Sequence, residues 1–143
     1  MGINIEKLKS KDIAKYKNLV DECFNGSNEQ LIYDNSYDEN SKSYQILVAK
    51  DNDKIVGSLT FYKIDLFTFS FQPALEIFNV CVKKEYRNQK IAKKLFERTI
   101  KFAKKNNYKS INLTCLDTAT NAHRLYESLG MERTNSIKYL LKL

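Results

Sequence analysis

Residues 74–96 change character twice, and that change limits the fold more than anything else in the chain. Over residues 75–82, Glu76, Phe78, Val80 and Val82 alternate with Ile77, Asn79 and Cys81 in a run rich in β-branched and aromatic side chains, which predicts a mostly buried strand. Residues 83–89 are a polar turn. After it Ile91, Ala92, Leu95, Phe96, Thr99, Phe102 and Ala103 recur at steps of three and four, the spacing of one helix face packed on a core. A helix that leaves a buried strand through so short a turn points unpaired backbone N–H groups, and the positive end of its dipole, at the space beyond the strand. Such a place binds anions. The side chains agree in sign: residues 83–105 hold ten Lys or Arg against Glu85 and Glu97, a net +8 in a chain whose total is +7. The remainder therefore sums to −1, and the basicity belongs to one element.

That confinement argues against a nucleic-acid partner, since no basic and aromatic sheet surface accompanies the lysines. At 143 residues and 43% apolar composition, one compact domain over residues 1–143 is expected. No run of about 18 apolar residues occurs and the first residues do not form a signal peptide, so a cytoplasmic protein with no membrane partner is expected. Cys23, Cys81 and Cys115 are odd in number and widely spaced in apolar patterns. They read as reduced, buried thiols and not as a disulfide frame or a metal set.

Along the chain, Ile3 and Ile5 alternate with polar residues as a short first strand. Ser10 is the expected N-cap of a helix whose face runs through Ile13, Tyr16, Leu19, Val20 and Cys23 or Phe24 to a stop at Asn25 and Gly26. Residues 18–41 carry Asp21, Glu22, Glu29, Asp34, Asp38 and Glu39 and no Lys or Arg. They read first as a solvated surface and second as an acidic wall for a cationic substrate. Residues 45–50 and 54–65 predict a hairpin turning at Asp51, Asn52 and Asp53. Phe67, Phe69 and Phe71 fall on alternate positions, and either extend that hairpin or line an acceptor pocket or homodimer contact. Asn106 and Asn107 suit a helix stop, residues 110–116 a strand, Asp117 or Thr118 a helix cap, Gly130 its end and residues 137–143 a final strand. The order predicts an α/β fold: a mixed, mostly antiparallel twisted sheet of six to seven strands flanked by helices, with a parallel crossover through the basic helix.

Two stretches carry a resemblance. Residues 86–95, with Arg87 and Ala92, resemble motif A of the GCN5-related N-acetyltransferases, in which Gln or Arg is followed by two residues, Gly, one residue, then Gly or Ala. Lys90 stands where the family has its first glycine. Residues 122–131, with Ala122, Leu125, Tyr126, Glu127, Gly130 and Met131, look like the family's A-x-x-L-Y-E-x-x-G-F ending. The resemblance covers roughly residues 44–143.

It implies the acyl-CoA N-acyltransferase fold and transfer of acetyl from acetyl-CoA to a primary amine, a small molecule or peptide, by direct attack in a ternary complex, with no metal. The backbone of Arg87, Asn88, Gln89, Lys90, Ile91, Ala92 and Lys93 would cradle the pyrophosphate. Val80, Cys81 and Val82 would pair with the pantetheine arm like an added strand. Lys90 must point its stem outward or bring its ammonium to a phosphate; a regular first helical turn would tolerate its Cβ. Tyr126 aligns with the tyrosine that protonates the leaving thiolate, a phenol of pKa about 10 serving a thiol of about 8.5. Glu76 shares the register of the general base in histone-acetylating members, and water is the competing route. Ala119 occupies a position where an Asn is common, and His123 is expected to face solvent. A non-catalytic acyl-CoA-binding protein, or a nucleic-acid-binding one, on the same fold is the alternative.

Overall fold

A computed structural model of the chain describes residues 2–24, 37–65 and 71–143. Its elements are β1 (Asn4–Lys7), α1 (Ile13–Cys23), β2 (Tyr44–Asp51), β3 (Lys54–Ile64), β4 (Ala74–Val82), α2 (Ile91–Lys105), β5 (Ser110–Asn112) and α3 (Thr120–Ser128). Short 3-10 turns precede α1 and α2, at Ser10–Asp12 and Lys84–Tyr86. The strands form one five-stranded sheet in chain order, antiparallel from β1 to β4 and parallel between β4 and β5. The hairpin between β2 and β3 closes on Asn52, which takes the positive φ of 55° that such a turn needs.

Each face of the sheet is buried by one helix. Leu47, Ala49, Leu59, Phe61, Leu75 and Ile77 meet Ile91, Leu95, Phe96 and Ala103 of α2. On the other face Ile46, Val48, Ile55 and Cys81 meet Tyr16, Leu19 and Val20 of α1. Strict alternation along β3 and β4 would not give this division. Lys50 pairs with Ile55 but Ala49 with Gly57, so Val56 is an extra residue; Ser58 pairs with Cys81 but Thr60 with Phe78, so β4 also carries one extra, next to Asn79 at φ 53°. Each insertion moves the following side chains to the opposite face. That is how Cys81 reaches the α1 side although Ile77, an even number of residues away, lies on the α2 side.

Gly57 is where α2 comes closest. A Cβ there would stand 3.0 Å from Ile91 Cγ2, so the absence of a side chain lets the first residue of α2 rest on the sheet. On the α1 side, Lys50 Nζ lies 2.8 Å from Asp12 Oδ2 and 3.0 Å from Glu6 Oε1, an ion triad in which Lys50 and Asp12 are largely shielded from water and Glu6 is part-exposed.

Several expectations need correction. The sheet has five strands among the described residues, not six to seven. Of residues 110–116 only Ser110–Asn112 pair, and residues 137–143 form no strand: Tyr139 is 91% exposed and Leu141 82%. Alternation licenses a strand, but a ladder needs an edge to pair with, and β5 offers three residues of edge. Ser10 does not cap α1; it opens the 3-10 turn, and its N–H donates to Glu39 Oε1 at 2.8 Å. The cap of α3 is Ala119, not Asp117 or Thr118. Cys115 is exposed and Cys23 half-buried. The stop at Asn25 and Gly26, the acids Glu29 and Asp34, and Phe67 and Phe69 lie outside the described residues; Phe71 is 69% exposed. The other helix ends are as read: Asn107 at φ 63° ends α2 and Gly130 at φ 87° follows α3.

Two tests follow from this packing. Gly57→Val should force Ile91 outward and destabilise the fold by about 1–3 kcal/mol, read as a fall in Tm; an unchanged Tm would mean α2 does not rest on β3. Hydrogen bonding to Lys50 holds Asp12 below the usual carboxylate pKa. Its contribution to stability is then complete above the unfolded value of 3.8 and is lost as pH falls through the lower, folded value. Asp12→Ala, which leaves Lys50 with Glu6 as its carboxylate partner, should cost about 1–3 kcal/mol at neutral pH and flatten the acid limb of the unfolding profile.

Candidate active site

The turn from β4 into α2 is built on two left-handed residues, Asn88 at φ 66° and Lys90 at φ 61°. Asn visits this region readily, lysine with strain. Lys90 is not part of a regular first turn, as the sequence suggested: it is the residue before the helix, in the conformation that glycine adopts freely. The first helical N–H to be satisfied is that of Lys94, which donates to the Lys90 carbonyl at 3.0 Å. Those of Ile91, Ala92 and Lys93 are the unpaired donors of a helix start. Side chains brace the turn: Arg87 Nε donates to the Val82 carbonyl at 3.1 Å, and the Tyr86 hydroxyl to Asp51 Oδ2 at 2.6 Å. Residues 87–93 thus form one continuous stretch, from the braced turn into the first turn of α2, that carries Lys90 and Lys93 and is followed by Lys94.

Beside that turn the sheet opens. β4 pairs with β5 only through Ala74, Leu75 and Glu76; beyond Glu76 no strand lies on that edge among the described residues. Val80 belongs to this free edge. The Val82 carbonyl accepts from both Arg87 and Cys23 Sγ, the latter at 3.7 Å, and the Cys81 thiol is buried on the α1 face, where desolvation pushes its pKa up. Of the three residues expected to hold a pantetheine arm, Val80 and Val82 are half-buried against the α2-side core and Cys81 is buried.

Glu76 lies where β4 and β5 part, on the α1 face. There a cavity of about 830 Å³ is lined by Glu76, Thr60, Tyr37, Tyr44, Tyr62 and Phe78, with Tyr16 and three isoleucines behind them. Rings form a continuous wall: Tyr37 to Tyr44 is 6.2 Å between centroids, Tyr44 to Tyr62 5.5 Å, and Tyr62 to Phe78 5.5 Å edge to face. The Tyr37 hydroxyl donates to the Leu8 carbonyl at 2.6 Å. Desolvation raises the pKa of Glu76, the direction that suits a base working near neutrality. Asp21, Glu22, Asp38 and Glu39 do not line this cavity. Glu22 instead pairs with Lys83 at 3.1 Å, and Asp38 Oδ1 accepts the Asn40 N–H at 2.9 Å.

Tyr126 is on the opposite face. Its ring packs edge-on against Phe96 of α2 at 5.5 Å, and burial, with a lesser effect of Cys115, raises its pKa, so the phenol stays protonated. Glu76 and Tyr126 are therefore not in one wall: the first lines the cavity on the α1 face and the second packs on the α2 side. His123 is half-buried, contrary to expectation. Its Nε2 donates to the Leu116 carbonyl at 2.9 Å and its Nδ1 lies 3.4 Å from Arg133 Nη2, which ties the loop before α3 to the chain after it. Among the described residues no His, Cys, Asp and Glu gather as a metal set. Thr60 and the three tyrosines went unnoticed in the sequence; alternation along β2 and β3 puts Tyr44, Thr60 and Tyr62 on Glu76's face once the register is known.

A family model described as the acetyltransferase (GNAT) family matches residues 13–131. The chain is similar to human N-acetyltransferase 8B, 32% identical over 87 residues that make up 61% of this chain and 38% of the relative. It is also similar to N-acetylaspartate synthetase of Danio rerio, 41% identical over 59 residues, 41% of this chain and 21% of the relative. The chain thus spans less than half the length of these curated relatives. A solved aminoglycoside acetyltransferase from an uncultured soil metagenomic sample superposes with a TM-score of 0.80 at 20% identity, covering 100% of this chain and 99% of that one; at this identity the likeness is one of fold.

The strain at Lys90 can be measured directly. Lys90→Gly should raise the stability of the ligand-free protein by about 0.5–1 kcal/mol, the relief of a left-handed lysine less the added freedom of the unfolded chain. A lower Tm in this variant would contradict the left-handed assignment.

Proposed function

The chain belongs to the acetyltransferase (GNAT) family, and on that premise we propose that it is an N-acetyltransferase moving the acetyl group of acetyl-CoA to a primary amine by direct attack in a ternary complex. The observation that carries this reading is the first turn of α2, entered through Asn88 and Lys90 and set at the end of a strand edge that has no neighbour beyond Glu76 among the described residues. A diphosphate suits that turn, which offers three free amides and a positive helix end within a segment of net charge +8. Lys90 keeps the backbone path a glycine would take and adds only its Cβ and an ammonium. The residues present therefore fit acetyl-CoA, which when bound supplies an acyl group activated as a thioester.

Each of the chain's own groups then has one task. The amides of Ile91, Ala92 and Lys93 hold the diphosphate, and the free edge of β4 at Val80 lays the pantetheine arm across the gap in the sheet. Glu76, on the cavity side, takes the proton that an ammonium of pKa about 10 must lose before it can attack. As the new C–N bond forms and the C–S bond breaks, Tyr126 gives its phenolic proton to the departing thiolate. The second proton, shed by the attacking nitrogen as it becomes an amide, passes to solvent, from which the phenolate is reprotonated. Its raised pKa keeps the proton available, and the raised pKa of Glu76 makes it a better acceptor.

Thiol release from acetyl-CoA with an amine panel, run beside a melting shift with acetyl-CoA alone, tests this. Tyr126→Phe should lower kcat by about 10–100-fold with acetyl-CoA affinity little changed. A loss confined to affinity would remove the proton-donor role. Glu76→Gln should lower kcat/KM for the amine by about 100-fold and abolish the acid limb of its pH profile; an intact limb would assign the base to water. No melting shift with acetyl-CoA would end the reading.

A further inference from the structure

The cavity on the α1 face carries information about the acceptor that no relative's name supplies. We infer that, if this cavity is the acceptor site of the reaction proposed above, it takes an arylalkylamine: a primary amine with one positive charge, borne on an aromatic body.

Charge comes first. Glu76 is the one carboxylate on the lining, and no Lys, Arg or His accompanies it among the described residues. A single carboxylate can balance one ammonium. A polycation would leave further charges against tyrosine and isoleucine walls, where unpaired charge is costly. An amino acid with acidic groups would place carboxylates there with no cation to meet them.

Shape and chemistry of the wall point the same way. Tyr62 stands directly opposite Glu76 across the β3–β4 ladder, and Thr60 opposite Phe78, so the carboxylate is framed by rings. Tyr62 is 45% exposed and Phe78 47%, the two large apolar surfaces of the sheet left uncovered on this face. Rings in this arrangement attract a cation by their faces and an aromatic guest by stacking.

A third observation is independent of charge and shape. Thr60 is only 5% exposed, lines the cavity, and its Oγ1 has no hydrogen-bond partner. A buried hydroxyl without a partner is unfavourable in the empty protein, and a guest's polar atom would relieve it. It stands two residues along β3 from Tyr62 and opposite Phe78, in the same cavity lining as Glu76, so a polar atom of a guest resting on those rings can reach it.

The test is a competition between acceptor classes in the full chain with acetyl-CoA, followed by thiol release and confirmed by mass of the product. Tyramine, phenethylamine and tryptamine should exceed spermidine, kanamycin and aspartate in kcat/KM by about tenfold or more. Thr60→Val and Phe78→Ala should raise the KM for tyramine about 5–10-fold while Thr60→Val leaves Tm unchanged or higher, an outcome a merely structural threonine would not give. Higher kcat/KM for spermidine, kanamycin or aspartate, or an unmoved tyramine KM in both variants, would overturn the assignment while leaving acetyl transfer standing. Should no amine turn over, equilibrium binding of tyramine to the acetyl-CoA-saturated protein decides, and absence of binding there sinks the proposal. Failure of acetyl-CoA itself to bind would instead overturn the reading on which it rests.

Discussion

The contact between Ile91 and Gly57 fixes the position of nearly everything with chemical meaning. Helix α2 carries lysine and arginine over most of its surface and is held to the sheet by one apolar face, Ile91, Leu95, Phe96, Thr99 and Ala103. Burial of that face fixes the helix axis, but its distance from the sheet at the entry end is set by the missing side chain at Gly57. With the first residue seated so closely, the unpaired amides of the first turn open directly at the end of β4. A helix held a side chain's width further out would point the same dipole at bulk water, where it is worth little.

The second constraint is the extra residue in β4. Asn79, in a left-handed conformation, advances the strand by one position and changes which side chains see which helix. Glu76 and Phe78, before it, face the aromatic cavity; Cys81, after it, closes the α1 core. Without the insertion Cys81 would face α2 and the α1 core would lose a member. Beyond Glu76 the strand also loses its β5 neighbour, so one short stretch both turns its side chains and exposes its edge. Bulges often sit where a strand must do both.

The distribution of charge completes the picture. The α2 side of the molecule is strongly basic, and the cavity lies on the other side of the sheet. Acids near α1 serve structure: Asp12 with Lys50, Glu22 with Lys83, Glu39 with the Ser10 amide. Glu76 is left as the carboxylate of the cavity, partly desolvated and framed by rings. On the reading proposed above, an anionic carrier would sit on the basic side and a cationic acceptor on the cavity side of the sheet.

The α2 face, its entry from a buried strand, the concentration of lysines and the two family stretches were all legible in the residues, because helical and strand periodicity and formal charge are local properties. So were the stops at Asn107 and Gly130, where backbone conformation selects the residue. Pairing was not. Whether residues 137–143 join the sheet depends on an edge elsewhere, and three residues of β5 gave it none. Nor could alternation show the insertions at Val56 and beside Asn79, since a bulge is defined only by the partner strand. Lys90 looked like an ordinary helical residue until the turn showed it left-handed. The aromatic cavity lay beyond reach for the same reason: Tyr37, Tyr44, Tyr62 and Phe78 come from a loop and three strands, and only register brings them to one wall. Sequence alone determined the periodicity of the helices and central strands and where charge resides; tertiary structure decided which faces and edges meet, because a face is a relation between segments and not a property of any one.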